Sequence, residues 1–207
     1  MKLLGTNTSP YVRKARLVLL EKNISHEYLI DAPREPGSQV ARVNPLGRIP
    51  ALILDDETCV YDSPVIAEYA DTLNDTPILI PRTNALERMR VKCWEALADG
   101  IMDSAVAVRA ESIRPAEKQE ANTITLHNNA ITRALAHVAE QLGQREWCHH
   151  EQGKAASITL ADLALVSALI YLDLRQPERD WRGAHPNLAA WFARVSKRPS
   201  VRVTLIE

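Results

Sequence analysis

Cysteine is scarce: Cys59, Cys93 and Cys148 are the only three in 207 residues, and they stand far apart. An odd, scattered set argues against a disulfide framework and for a reducing compartment, so a cytosolic setting is expected. Aromatic residues are few as well, at 5%. Apolar residues make up 46%, so a core is within reach, built mainly from Leu, Ile, Val and Ala. An excess of one charge is also missing. Residues 1–78 carry 8 basic and 11 acidic side chains, the remainder 17 and 15, for a net charge of −1. Neither part has the positive field of a nucleic-acid binder, and no such partner is expected. Arg13, Lys14 and Arg16 read as the wet face of a helix. Long apolar runs are absent. "MKLLGTNTSP" lacks the apolar core of a signal peptide, and no stretch approaches the roughly 20 residues of a membrane span, so no membrane partner is expected. No internal repeat or low-complexity tract occurs.

What is present divides into two grammars. Residues 2–73 alternate between strand-like and helix-like runs. "KLLGT" is short and apolar. "SPYVRKARLVLLEKN" follows with Tyr11, Val12, Ala15, Val18 and Leu19 at helical spacing. Ser9 fits the N-cap, Pro10 the first helical position and Asn23 a left-handed stop. "HEYLI" reads as strand, "EPGSQVARVN" as a short irregular helix, and "PALILDDETCVY" as a hairpin turning at Asp55 and Asp56. "SPVIAEYADTL" is helical again, with Ile66, Tyr69, Ala70 and Leu73 on its buried side. The order βαβαββα predicts a small α/β layer over residues 1–75.

A linker over 76–84 precedes an all-helical part, 85–207. Asn84 and Glu87 form an N-x-x-E helix start. Leu86, Met89, Cys93, Leu97 and Ile101 then make one stripe. A second helix is expected from about Pro115 to Leu142, stopped by Gly143. In "SITLADLALVSALIYLDLR", Thr159 and Asp162 resemble a capping box, and Ile158 with Leu163 a hydrophobic staple. The apolar positions beyond them nearly encircle the helix, so it should be central and buried. Asp162 is read as structural. A last helix starts at "HPNLAAWFARV" and stops before Pro199; His185 reads as its start.

The chemistry concentrates in the first part. "TSPYV" and "YDSPVI" each put Ser-Pro at a helix start, where free N–H groups and the positive dipole end suit an anion. Between them, "NPLGRIPAL" sets Pro50 at the mouth of a strand, where a missing donor leaves backbone open to an extended ligand.

In this order and spacing, Ser9-Pro10, "NPLGRIPAL", Asp62-Ser63 and "SITLAD" resemble the cytosolic glutathione transferases across nearly the whole chain. The resemblance implies a thioredoxin-like domain followed by a helical domain. It implies that Ile49 bonds the cysteinyl part of glutathione through its backbone, with Pro50 in cis. Ser63 would take the γ-glutamyl carboxylate, Asp62 would help place that end, and Arg48 would reach the glycyl carboxylate. Ser9 would donate a hydrogen bond to the glutathione sulfur, with Thr8 and Tyr11 as competitors for that role. In thiol-reductase relatives that helix start carries cysteine; with serine here, exchange through an enzyme-bound sulfur is not expected.

The resemblance also implies a homodimer and a small hydrophobic electrophile as second substrate. That substrate would lie against the first long helix of the helical part, near Met102, Asp103 and Val106. Glutathione is then a co-substrate, and no prosthetic group is expected. Detoxification by S-conjugation is the leading function. A non-catalytic glutathione-binding module, and a glutathione-dependent peroxidase, reductase or isomerase, stand as alternatives. "WCHHE", residues 147–151, offers adjacent ligands without the spacing that lets side chains converge, so no metal is expected there.

Overall fold

The computed structural model describes residues 1–149 and 157–205. The chain divides into two compact units, Met1–Arg88 with Arg198–Glu207, and Met89–Lys197.

The first unit is built on a four-stranded mixed sheet in the order β2-β1-β3-β4. The strands are β1 (Lys2–Gly5), β2 (Glu27–Ile30), β3 (Ala51–Ile53) and β4 (Cys59–Tyr61). β1 pairs parallel to β2 and antiparallel to β3, which pairs antiparallel to β4. The helices are α1 (Pro10–Glu21), α2 (Val40–Val43) and α3 (Ser63–Thr72). This is the thioredoxin-like arrangement with the expected βαβαββα order. α1 buries Val12, Ala15, Leu17, Val18 and Leu19, and Asn23 takes φ 51 just beyond it. β1 closes on Gly5 because there is no room for more: a Cβ there would lie 2.5 Å from a Val12 Cγ.

Three expectations need correction. Leu73 is 42% exposed and Tyr69 only half-buried, whereas Ile66 and Ala70 are buried as expected, together with Ala67 and Asp71. Arg13 and Lys14 do not form a wet face: they are 2% and 0% exposed. The Arg13 Nε donates to the Thr204 carbonyl at 3.2 Å and an Nη to the Asn7 carbonyl at 3.1 Å. Burial, with the charge of Arg16 adding to it, lowers the Arg13 pKa to about 10. The helical stripe from Leu86 to Ile101 is the third. Leu86 and Met89 are about half exposed, and only its far end, at Ile101, is buried.

A buried ion pair organises the end of the first unit. The Lys22 Nζ donates to Asp71 Oδ1 at 3.1 Å and to the carbonyls of Asp71, Asn74 and Pro77. Asp71 in turn accepts from the N–H groups of Leu79 and Ile80. The tail returns to the same unit through α9 (Pro199–Arg202). There the Arg198 guanidinium meets the Glu21 carboxylate in a two-point contact, 2.8 and 2.7 Å, and the Ser200 hydroxyl also donates to Glu21. Burial pushes the Glu21 pKa up, but the hydrogen bonds from Arg198 and Ser200 and the Arg198 charge together outweigh it, so the net shift is downward. A depressed folded-state pKa contributes stability that is present above the unfolded value and lost as pH falls through the folded one. Arg198→Met is therefore expected to lower stability by about 1–2 kcal/mol near neutrality, the gap to wild type closing as Glu21 protonates. Urea unfolding at a series of pH values checks this. A pH-independent difference would contradict it.

The second unit is helical. It contains most of α4 (Ala85–Ser112), then α5 (Ala121–Leu142), α6 (Leu160–Arg175), α7 (Trp181–Ala184) and α8 (Pro186–Val195). α5 starts later than expected: a separate 3-10 turn occupies Ala116–Lys118. Gly143 does stop α5, at φ 55. α6 is buried continuously from Leu160 to Leu172, as its apolar circumference requires. Asp162 anchors it. Its carboxylate accepts from the Cys148 N–H at 2.7 Å and from the Thr159 N–H and hydroxyl at 2.8 and 3.0 Å. Burial raises the Asp162 pKa against these bonds. Among the described residues no helix is long and apolar enough to cross a membrane.

Candidate functional site

The strand register brings the chemistry-bearing residues of the first unit to one edge. β1 ends at Gly5, and Leu4 pairs with Ala51, the first residue of antiparallel β3. Ala51 also pairs with Tyr61, the last residue of β4. The segments leaving β1, entering β3 and leaving β4 therefore share one end of the sheet. They carry Ser9, Arg48-Ile49-Pro50 and Asp62-Ser63.

Each segment is held by local chemistry. Ser9 is the N-cap of α1, its hydroxyl oxygen accepting from the Val12 N–H at 3.3 Å. That contact occupies a lone pair and leaves the hydroxyl proton to be donated elsewhere. Ser9 is half-buried and Thr8 exposed. The Ile49–Pro50 peptide is cis. Ile49 packs its side chain against the cluster of Leu4, Val40 and Ala51, while its backbone stands ahead of the β3 ladder. Arg48 is exposed.

Asn44, which the sequence reading passed over, fastens this loop. It is buried, its Nδ2 donates to the Arg48 carbonyl at 2.7 Å, and its Oδ1 accepts from the Leu46 N–H at 3.0 Å. The signal was there in "NPLG": asparagine before proline, with Gly47 at φ 59, is turn chemistry. Asp62 sits at φ 73, an unfavourable backbone for a residue with a Cβ, and strain of this kind clusters at functional sites. It sets Ser63 as the first residue of α3. The Ser63 side chain is 1% exposed, and its hydroxyl has no hydrogen-bond partner among the described residues. A buried polar atom without a partner beside free helix N–H groups marks a place for an anionic acceptor.

Other candidates are scattered. On α4, Met102 is buried, Val106 half-buried and Asp103 exposed. His185 caps α8 as its preceding residue. Of "WCHHE", His150 and Glu151 lie outside the described residues. Among the described residues no three His, Cys, Asp or Glu side chains converge as metal ligands would.

Known proteins agree with this fold. Residues 8–73 match the family model for the glutathione S-transferase N-terminal domain, and residues 115–194 that for the C-terminal domain. The chain is 36% identical to the GST-like protein YibF of Escherichia coli (strain K12), over 97% of its own length and 96% of the relative's. A crystal structure of a glutathione S-transferase from Methylobacillus flagellatus KT with GSH bound is 41% identical. It superposes with a TM-score of 0.94 over 100% of this chain and 99% of the other. A glutathione transferase family member from Pseudomonas fluorescens Pf-5 with bound S-(propanoic acid)-glutathione is 36% identical, with a TM-score of 0.83 over 100% of both chains.

Proposed function

This chain belongs to the glutathione S-transferase family, and on that premise we propose that it binds glutathione at the sheet edge and activates the thiol for attack on small hydrophobic electrophiles. The observation that carries the reading is the convergence at that edge of Ser9, Ile49 and the unpartnered Ser63 hydroxyl. The bound glutathione and glutathione thioether of the two solved relatives support it.

The tripeptide lies extended along the edge. Its cysteinyl part pairs with the Ile49 backbone where Pro50 offers no competing donor. Its γ-glutamyl carboxylate sits on Ser63 at the positive end of α3, with Asp62 alongside, and Arg48 takes the glycyl carboxylate. The Ser9 hydroxyl donates a hydrogen bond to the thiolate sulfur. A free thiol of pKa near 8.5 is only about 3% thiolate at pH 7. One hydrogen bond to a charged group supplies roughly 1.5–3 kcal/mol, and the α1 N-terminus about 0.3–1 more, enough to lower that pKa by about two units without a general base. The thiolate attacks an electrophilic carbon. An S–C bond forms, the leaving group departs with its bonding pair, and the thiol proton has already passed to solvent. In this reading the protein works as a cytosolic homodimer in detoxification.

The test is turnover of an aryl halide with glutathione, run beside a panel of peroxides and disulfides. A rate clearly above the uncatalysed reaction is expected with the halide. Retention on a glutathione matrix without turnover of any electrophile would replace this reading with a non-catalytic binding module. Turnover confined to the peroxide or disulfide panel would replace it with reductase chemistry. Sedimentation of the free chain reads the dimer.

A further inference from the structure

The turn that carries Ser9 is tied down by two arginines of α1. β1 ends at Gly5 and α1 begins at Pro10, so Thr6–Ser9 stands outside the strand ladder. Within the turn the Ser9 N–H donates to the Thr6 carbonyl at 3.2 Å. The Arg13 Nη2 donates to the Asn7 carbonyl at 3.1 Å, and the Arg16 Nη1 to the Asn7 side-chain oxygen at 3.4 Å. Both guanidinium groups also reach the tail of the same unit. The Arg13 Nε donates to the Thr204 carbonyl at 3.2 Å, and the Arg16 Nη2 to the Val203 carbonyl at 3.5 Å. That tail is itself fixed: the Thr204 hydroxyl and N–H both donate to the Val201 carbonyl, at 2.8 and 3.0 Å, and Thr204 is 2% exposed. The Arg16 guanidinium lies 4.2 Å over the Tyr28 ring of β2, which steadies its plane. Asn7, two residues ahead of Ser9, is thus clamped to residues 203–204 through α1.

Stability alone does not account for Arg13. Its guanidinium is buried on carbonyl oxygens, among the described residues no carboxylate pairs with it, and its Nη1 has no hydrogen-bond partner. Of the groups that face it, Arg16 on its own helix adds a like charge, and Tyr28 on β2 is neutral near pH 7. Drying a cation without a counter-charge is costly, and an apolar side chain of similar length often serves stability as well. What the planar fork supplies is direction, because it fixes two acceptors relative to each other. A hydrogen bond weakens steeply as its angle closes, so a turn free to rock would weaken the one that Ser9 gives.

We infer that Arg13 is a positioning residue: by clamping the Asn7 carbonyl to the tail, it holds the Thr6–Ser9 turn where the Ser9 hydroxyl meets the glutathione sulfur. The inference rests on the proposed contact between Ser9 and that sulfur.

Arg13→Met tests it, read by thiolate absorbance of bound glutathione against pH. The bound thiol pKa is expected to rise by about half a unit to one unit, less than on deleting the hydroxyl itself. Near pH 7 kcat should fall roughly three- to tenfold and recover at alkaline pH, while KM for glutathione changes by less than about twofold. The thermal midpoint should stay near that of the wild type. In a Ser9→Ala background the same change should leave the thiol pKa where Ser9→Ala alone puts it, because Arg13 acts through the hydroxyl. Arg13→Lys keeps a cation but loses the fork, and should raise the thiol pKa as well. Should the methionine variant not fold, the lysine variant decides alone. An unshifted thiol pKa in the folded variant would leave Arg13 to packing and overturn the inference. A shift that persists without the Ser9 hydroxyl, or a lysine that restores the wild-type pKa, would overturn it in favour of a direct effect of charge. A wild type that leaves the glutathione thiol at its solution pKa removes the proposed function and this inference together. A depressed wild-type pKa that neither variant moves removes the inference alone.

Discussion

Alanine at position 9 is expected to raise the pKa of the bound glutathione thiol by about one to two units and to lower turnover near pH 7 by roughly ten- to a hundredfold. The size follows from one hydrogen bond. A donor to a thiolate is worth roughly 1.5–3 kcal/mol, and each 1.36 kcal/mol is one unit of pKa. Near neutrality the thiolate fraction falls in step with the shift, so most of the lost rate should return at alkaline pH. Affinity for glutathione should change far less, because in the proposed pose Ile49 and Ser63 hold the rest of the tripeptide. Ser9→Ala also removes the cap on Val12, typically about 1 kcal/mol of stability, less here since the contact is long at 3.3 Å. Thiolate absorbance of the bound tripeptide against pH, beside kcat and KM, separates the two effects. An unshifted thiol pKa with only reduced stability would reduce Ser9 to a cap and pass the sulfur contact to Thr8, Tyr11 or a backbone N–H.

The second large effect is on stability. Lys22→Met should destabilise the chain by about 3–5 kcal/mol. Lys22 is wholly buried, and its ammonium serves Asp71 and three carbonyls at once. Methionine fills the space but leaves the Asp71 carboxylate in the interior with, among the described residues, the N–H groups of Leu79 and Ile80 as its remaining partners. An unpaired buried charge is what makes such a deletion severe. Lys22→Met combined with Asp71→Leu should therefore cost well under the sum of the single changes, since the stranded carboxylate is gone. Urea unfolding of the wild type, both single variants and the double gives the coupling directly. A loss below about 1 kcal/mol in Lys22→Met would mean that the pair's attraction barely exceeds the cost of drying it.

These two residues show what a sequence can disclose. Ser9-Pro10, Asp62-Ser63 and Thr159-Asp162 are legible because a helix start is local chemistry: the cap, the proline and the first turn sit within four residues of one another. The β3–β4 hairpin and the buried α6 are legible for the same reason, through period and turn composition. Arg13 and Lys14 were misread because burial of a cation depends on distant partners. The Arg13 guanidinium is held by a carbonyl at Thr204, 191 residues away, and helical periodicity carries no trace of it. The helical pattern of α3 carries no signal for Asp71; its importance arises from Lys22 and from the N–H groups of Leu79 and Ile80. The exposed start of α4 was hidden within an apparent apolar stripe. Nothing in the spacing of Met89, Cys93 and Leu97 says which of them meets a neighbour and which meets open space.

The first unit is discontinuous: the strands and α1–α3 come from the start of the chain, whereas α9, with Arg198 and Thr204, comes from its last residues. A ribosome therefore delivers the sheet long before the segment that completes it. Until residues 198–204 are made, the nascent Glu21 and Arg13 lack those partners, and the emerging polypeptide carries an unfinished N-terminal body through translation of all the intervening helices. Deleting residues 198–207 is then a perturbation of the first unit, despite lying far along the chain from its strands.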